Sequence, residues 1–479
     1  MNILAQIIRE NHQDNYSTEL KQVLEKLVSP LQQNPGLKNY VEMVEALDKS
    51  SRKLIINLMR ETLERMDREY RNSPGRKNNF YVKQTRNRTT ITVFGDLTYK
   101  RTEYVDKRTK KPFCYVDRKL GLRKKERYDP CVQALIIELY ADSNSMIKVG
   151  KLVGDRISGS FNCRKGRDNA ISRQTVYNVL HRFSCITAPL TPREKTPETL
   201  YIMADEKYLA LQKEEVKSKA MTKAAVIFEG LQAVVKKDGN PTKRKSLVNK
   251  TTVLQAEGSI WERINEVLYQ IYDMDQVKQL YVMGDGAGWL VRGYSEVKPP
   301  NGKTTFALDR FHFKQAINRI STDEGLRKMM YEYAYHNMKK DFIELVNTIK
   351  ESNSERVETI EENLAYLLKH WGHYQAMNKV VKIGCSMEAA ISHVVASVFS
   401  SVPKAYSREN LPLYFNYREL QQNSCDFRNI ILQAMSLQKQ NEKDVTISPQ
   451  EFDFSIFEKK VYPDNPTIRE FNKNIITPF

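Results

Sequence analysis

The chain has 479 residues, enough for two to four domains and at least one sizeable core. With 41% hydrophobic and 28% charged residues it reads as a soluble globular protein, and no apolar run approaches the length of a membrane span. The 76 Lys+Arg against 58 Asp+Glu leave a net charge of +18, which points to a polyanionic partner; an enzyme of neutral sugars has no need of such a surplus.

Residues 1–71 read as helical. Leu54, Ile55, Leu58, Leu63 and Met66 recur at helical spacing, and Asn72-Ser73-Pro74-Gly75 closes the run. The first residues, MNILAQIIRENHQDN, turn polar too soon for a secretory signal, so a cytoplasmic protein is expected. The six cysteines show no CxxC spacing, which fits reduced thiols better than a disulfide framework or a zinc site.

Residues 72–127 read as a basic, β-rich module that binds DNA. From Arg71 to Pro130 there are 18 Lys+Arg against 6 Asp+Glu, a surplus of 12 that is two-thirds of the +18. Tyr81, Tyr99, Tyr104, Phe113 and Tyr115 are interleaved with these charges, and Gly95-Asp96 marks a hairpin turn between two alternating runs. Arg123, Lys124 and Lys125 are candidate DNA contacts. The plainer alternative is a solvated, charged β-surface.

Residues 128–186 turn helical again. Ser172 is a helix N-cap, followed by an apolar stripe of Val176, Val179 and Leu180. Arg173, Gln174 and Tyr177 then face outward near the helix start, where a helix-turn-helix presents its base-reading side chains. Arg164 and Lys165, in the polar loop before that helix, are further candidate DNA contacts. Many helical pairs of this pattern never touch DNA.

After the Pro-containing stretch TAPLTPREKTPE, the order of elements is informative. A strand (YIMA) precedes two further β-like stretches (AAVIFEG and, less clearly, SLVNKTTVL), a helix (WERINEVLYQIYDM), a strand (QLYVMG), a short helical connection and a strand (TTFAL). Long helical patterns follow, and MEAAISHVVASVF closes the set as a helix. This is the element order of an α/β core of ribonuclease-H-like fold, its first part at 198–310 and its last at 384–437. A helical insertion at 311–383 divides the two, being too long for a simple loop. Residues 438–479, with Pro449, Pro463 and Pro466, form a C-terminal tail.

Asp205 and Asp285 each end an apolar, β-like run, and Glu388 lies on the closing helix. Three carboxylates on rigid elements suit two hard divalent cations, which clamp the attacking and leaving oxygens of a phosphodiester. Singly, an aspartate at a strand end is a turn or cap residue. Glu206, beside Asp205, is expected on the opposite face of an extended strand. His312 reads either as a packed core residue between Phe311 and Phe313 or as a catalytic-site residue that contacts phosphate or positions a catalytic group. Trp289 suits core packing or stacking on a displaced base. The glycines of GDGAG lack the spacing of a nucleotide-binding loop, so no nucleotide cofactor is expected.

Taken together, ADEKYLALQ, GDGAGWL, LDRFHFKQAI and GCSMEAAISHVVASVFSSVP resemble the Lre-type bacterial insertion-sequence transposases, DDE enzymes of the Mutator-like group. The resemblance covers most of the chain. It implies that Asp205, Asp285 and Glu388 are catalytic and hold Mg²⁺, with Mn²⁺ as a substitute. It also implies that Asp309-x-x-His312 is the Asp/Cys-x-x-His signature of such enzymes. The implied activity is DNA strand cleavage and transfer at terminal inverted repeats, by a homodimer or larger multimer with no membrane partner, on the nucleoid when bound to DNA. The sequence departs from the family at Val398 and Val402, where arginines are usual. A decayed or repurposed transposase that only binds DNA is therefore the alternative; a nuclease that hydrolyses without strand transfer is a third reading.

Overall fold

The computed structural model describes residues 25, 28–29, 31–123, 125–159, 171–184, 186, 190–211, 219–236, 239–379, 407–423 and 426–444. Lys124, Arg164, Lys165, Glu388, Val398 and Val402 lie outside the described residues, as do the first residues of the chain and the tail from 445. The residues up to Ile431 make one compact unit; Leu432 onward make a second, of which only helix is described.

Helix α1 (Leu37–Asn72) ends where Ser73 turns extended ahead of Pro74, and Ser73 then caps the short α2 (Pro74–Asn79). Strands β1 (Phe80–Thr92) and β2 (Gly95–Asp106) form an antiparallel hairpin, extended by β3 (Pro112–Cys114). Gly95 takes φ +120° at the turn, a conformation that disfavours a Cβ. Leu63 of helix α1 shares a buried cluster with Leu97 and Tyr99 of β2 and with Val116 beyond β3. Its buried Asp67 accepts hydrogen bonds from Thr102 Oγ1 at 2.6 Å and the Tyr104 hydroxyl at 3.3 Å. Burial and the Asp67 charge push the Tyr104 phenol up to about 12.

A short helix α3 (Tyr115–Lys119) carries Asp117 into the middle of this module. There Asp117 pairs with Arg88 at 2.9 Å and with Arg101, while Arg88 also donates to the carbonyls of Arg123 and Glu126 at 2.9 and 2.7 Å. Part of the basic surplus is thus structural.

Helices α4 (Pro130–Ser143), α5 (Met146–Ser158) and α6 (Arg173–Arg182) follow, capped by Asp129, Ser145 and Ser172. Gly150 lets α5 approach the start of α6: a Cβ there would sit 2.4 Å from the Ile171 carbonyl oxygen.

The main sheet contains β4 (Thr199–Ala210), β5 (Lys219–Phe228), β8 (Thr251–Gln255), β9 (Gln279–Gly284) and β10 (Lys303–Leu308), in the order β8-β5-β4-β9-β10. The first three run antiparallel to their neighbours in sequence; β9 and β10 run parallel to β4. Counted by order of appearance, the five strands lie 3-2-1-4-5. The stretch SLVNKTTVL, read above as one strand, breaks at Asn249, which takes φ +51°. Its first half belongs to β7 (Pro241–Val248), which pairs with β6 (Gly230–Val235) in a separate two-stranded ribbon.

Helix α7 (Trp261–Ile271) packs on the sheet, and α8 (Gly288–Gly293) follows β9. Helices α9 (Arg310–Ile320), α10 (Glu324–Tyr335), α11 (Lys339–Glu351), α12 (Val357–Lys369) and α13 (Trp371–Lys379) occupy the stretch expected to be an insertion. Their Phe313, Phe342, Ile360, Leu367 and Trp371 join one buried cluster with Leu200, Ile202, Val282 and Phe306 of the sheet. These helices therefore share the core of the sheet instead of building their own.

Helix α14 (Asn410–Asn423) spans two regions. Asn423 and Glu419 accept the edge N–H groups of Thr252 and Leu254 at 2.7 and 2.6 Å, so the open side of β8 is covered. From the same helix, the Tyr417 hydroxyl donates to the Leu180 carbonyl of α6 at 2.6 Å. The last helix, α15, runs Phe427–Asp444.

Candidate active site

Three neighbouring parallel strands deliver acidic residues to one edge of the sheet. Strand β4 pairs with β9 only as far as Met203–Met283, so Asp205 lies just beyond that ladder. Asp285 follows the end of β9, and Asp309 follows the end of β10 with its N–H on the Gly284 carbonyl at 2.8 Å. The carboxyl ends of parallel strands are where an open α/β sheet leaves room for a ligand.

Asp205, Glu206 and Asp285 offer carboxylate oxygens within 4.8 Å of one another, each half-buried. The expectation that Glu206 faces away from Asp205 is corrected. Past Met203 the β9 side of the strand is unpaired, and the Glu206 N–H donates to Asp205 Oδ1 at 2.7 Å. The longer glutamate arm then reaches the cluster, where the Trp289 indole N–H donates to it. Lys223, directly across the ladder from Glu206, lies 5.0 Å from the Trp289 ring centre and donates to the Gly258 carbonyl at 2.5 Å. Trp289 thus orients a carboxylate and also packs against Trp261.

The loop after β9 is held from several sides. Asp285 Oδ1 accepts the Ala287 N–H at 2.8 Å, and the Tyr366 hydroxyl of α12 donates to the Asp285 carbonyl at 2.7 Å. Gly286 takes φ +87°, and a Cβ there would come within 2.8 Å of the His370 ring and 3.1 Å of Leu308. Asp309 is buried and caps α9, accepting the Phe311 N–H at 3.1 Å. His312, on the first turn of α9, is half-buried and faces Asp205 closely enough to favour its ionised form.

The electrostatics follow first from burial and then from the crowding of like charges. Burial above all, with the Asp285 and Glu206 charges, pushes the Asp205 carboxyl up to about 6 against the opposing Glu206 N–H and His312. Glu206 is raised by burial and by Asp285, against the Trp289 hydrogen bond and Lys223. Burial, His373 and Lys369 hold His370 down near 4, and its Nδ1 lies 3.1 Å from that of His373.

The shift of Asp205 carries a stability consequence. A carboxyl whose folded-state pKa lies above its unfolded value costs stability once it ionises, so the cost grows as pH rises from about 4 and is complete above about 6. The two-unit rise corresponds to ~3 kcal/mol, or about 1–2 kcal/mol after discounting for the solvated part of the group. Asp205→Asn should therefore unfold at a higher temperature than wild type at pH 8 in chelator, with the gain vanishing near pH 4. Thermal unfolding at the two pH values reads this, and no gain at pH 8 would contradict it.

The described candidate DNA contacts lie on two segments, the end of the basic module and the start of α6. Arg173 and Gln174 are exposed at the start of α6, and Gln174 donates to Asn178 at 2.8 Å. Tyr177 is half-buried, its ring 4.0 Å from that of His181. Lys125 is exposed with φ +72°. Arg123 is half-buried; desolvation and the nearby Arg182 lower its pKa. Tyr366, His370 and Lys223 were not singled out in the sequence: nothing local marks them, because they reach the site from distant or paired elements.

The architecture is therefore a mixed α/β sheet protein with an acidic cluster at the carboxyl ends of its parallel strands. The chain belongs to the uncharacterised protein family UPF0236, whose model matches residues 34–435. Similar proteins include two UPF0236 proteins of Caldanaerobacter subterraneus subsp. tengcongensis. They are 27% and 26% identical over 425 residues, covering 87% of this chain and 84% of each relative. A UPF0236 protein in the vanSb 3′ region of Streptococcus gallolyticus is 24% identical over 289 residues, 58% of this chain and 59% of that protein. Among the described residues no helix is long and apolar enough to cross a membrane.

Proposed function

We propose that this protein is a DDE transposase of the Lre type. It binds the terminal inverted repeats of an insertion sequence as a homodimer or larger multimer, in the bacterial cytoplasm at the nucleoid. There it cleaves DNA strands and joins them to target DNA. The observation that carries this reading is the convergence of the Asp205, Glu206 and Asp285 carboxylates within 4.8 Å at the edge of the central strands. The 3-2-1-4-5 sheet, antiparallel then parallel, supports a ribonuclease-H-like core. The names of the two Caldanaerobacter relatives carry eleven and four locus designations, and one protein at many loci is what a self-copying element leaves behind.

The donor set fits Mg²⁺ or Mn²⁺: all-oxygen, anionic, and buried and crowded enough that the ionised Asp205 costs stability without a counter-charge. Asp205 and Asp285 would hold the ions, with Glu388 completing the set. Bound there, divalent cations supply Lewis acidity that activates water or a 3′-hydroxyl and neutralises the leaving 3′-oxygen. The rest is positioning by the chain. Trp289 aims Glu206, Tyr366 anchors the Asp285 backbone, and Asp309 caps the helix that presents His312. His312 would then contact a phosphate oxygen beside Asp205. Arg173, Gln174 and Tyr177 of α6, with the basic module, are assigned to the repeat.

The test is a labelled duplex bearing the element's terminal repeat, incubated with the protein and Mg²⁺ or Mn²⁺. Nicking at the repeat end and strand-joined products are expected. Nicking without joining would indicate a nuclease. Binding without cleavage under either metal would leave the decayed, DNA-binding reading.

A further inference from the structure

The ribbon β6–β7 has no role in the site described above. It interrupts the main sheet between β5 and β8 and forms a two-stranded sheet of its own. A two-stranded hairpin in water is marginal unless something covers or anchors it. Here the base is anchored: the Glu229 N–H donates to the Val248 carbonyl at 3.0 Å, and Asn249 donates to the Glu229 carboxylate at 2.9 Å. Beyond the half-buried Leu231–Leu247 pair the described ribbon is largely exposed. Gln232, Ala233, Val234, Val235 and Lys236 are exposed in succession, as are Arg244 and Lys245 on the return strand.

Its charge is one-sided. Residues 230–250 hold six Lys or Arg (Lys236, Lys237, Lys243, Arg244, Lys245, Lys250) and a single acid, Asp238. Among the described residues, Lys236, Arg244 and Lys245 have no ion-pair partner. Alternation along β7 puts Arg244 and Lys245 on opposite faces. A ribbon with cations on both faces suits a groove walled by phosphates on two sides, and the major groove of duplex DNA admits a two-stranded ribbon.

The position separates this surface from the acidic cluster. Ala224 of β5 pairs with Asp205, whereas Phe228, from which the ribbon departs, pairs with Tyr201. Four residues of strand put its base ~13 Å from the carboxylates, toward the opposite end of the sheet. We infer that β6–β7 is a DNA-gripping arm that enters the groove of duplex DNA away from the scissile phosphate. The inference rests on the DNA-processing reading and adds a contact that the basic module and α6 do not supply.

The test uses the full chain with Arg244→Glu and Lys245→Glu together. Affinity for a 30-base-pair duplex is measured over a range of salt, and cleavage is measured at saturating DNA. The arm predicts at least a tenfold loss of affinity at ~0.1 M salt. It also predicts a salt slope shallower by about 2, since each lost phosphate contact removes about 0.9. Cleavage at saturation should be unchanged. If the double variant fails to fold, Arg244→Gln with Lys245→Gln should give a smaller shift in the same direction. Wild type that binds duplex DNA, with a variant of unchanged affinity and slope, overturns the arm while leaving the proposed function standing. Wild type that binds no duplex DNA sinks both. A variant that keeps its affinity but aggregates, or drops from multimer to monomer, also overturns the arm; the cations would then guard an open edge or join copies.

Discussion

Asp285→Ala should slow metal-dependent strand cleavage by about a thousandfold or more, the equivalent of ~4 kcal/mol of barrier, without abolishing DNA binding. The side chain does two things. It supplies one of three clustered carboxylates, and its Oδ1 accepts the Ala287 N–H at 2.8 Å. Alanine removes both, and the lost loop hydrogen bond alone costs about 1 kcal/mol of stability. Asp285→Asn separates the two roles: the amide oxygen still accepts from Ala287, while the charge that holds a cation is gone. Cleavage should fall as far in the asparagine variant as in the alanine one, with an unfolding temperature at least equal to that of wild type. An asparagine variant retaining a tenth of wild-type cleavage would remove Asp285 from the reacting centre.

Asp117→Ala should destabilise the β1–β3 module by about 3–5 kcal/mol, the usual cost of stripping a buried charge of its partner. The Arg88 side chain is 5% exposed and that of Asp117 9%, so solvent does not replace the lost carboxylate. Arg101 and the Tyr99 hydroxyl lose the same acceptor. Arg88 also holds the carbonyls of Arg123 and Glu126, so the segment leading into α4 loosens with it. Amide exchange along β1 and β2 should accelerate well before that of β4 and β9. An exposed control, Lys100→Ala, should change little. Uniform protection across the variant and an unaltered unfolding temperature would show that the pair adds nothing.

The helix ends, hairpin and core strands were legible because their signals are local. Ser73-Pro74 stops α1 through the backbone preference of the residue before proline, and Gly95 marks the hairpin turn by a φ that only a residue without a Cβ adopts easily. Ser172 caps α6 from within its own turn, at 3.2 Å from the Thr175 N–H. YIMA, QLYVMG and TTFAL lie within β4, β9 and β10, and the two aspartates at the ends of the first two runs were visible as breaks in apolar patterns. The ribbon was not legible. Its β7 reads continuously into β8, and only Asn249 at φ +51° divides them.

By itself, the sequence determined the apolar cores of most strands and helices, where the cations concentrate, and that Asp205 and Asp285 follow apolar runs, although β4 continues past Asp205 to Ala210. Each follows from interactions within a few residues. The tertiary structure decided which side chains meet. Glu206 joins the carboxylates with its longer arm held by the Trp289 N–H. Arg88 and Arg101, which look like DNA-facing charge in the sequence, spend themselves on Asp117. Tyr366, 81 residues from Asp285, anchors the loop that carries it. Pairings across such separations depend on how elements pack, and a pattern of period 2 or 3.6 encodes which face of an element is buried but not which partner covers it.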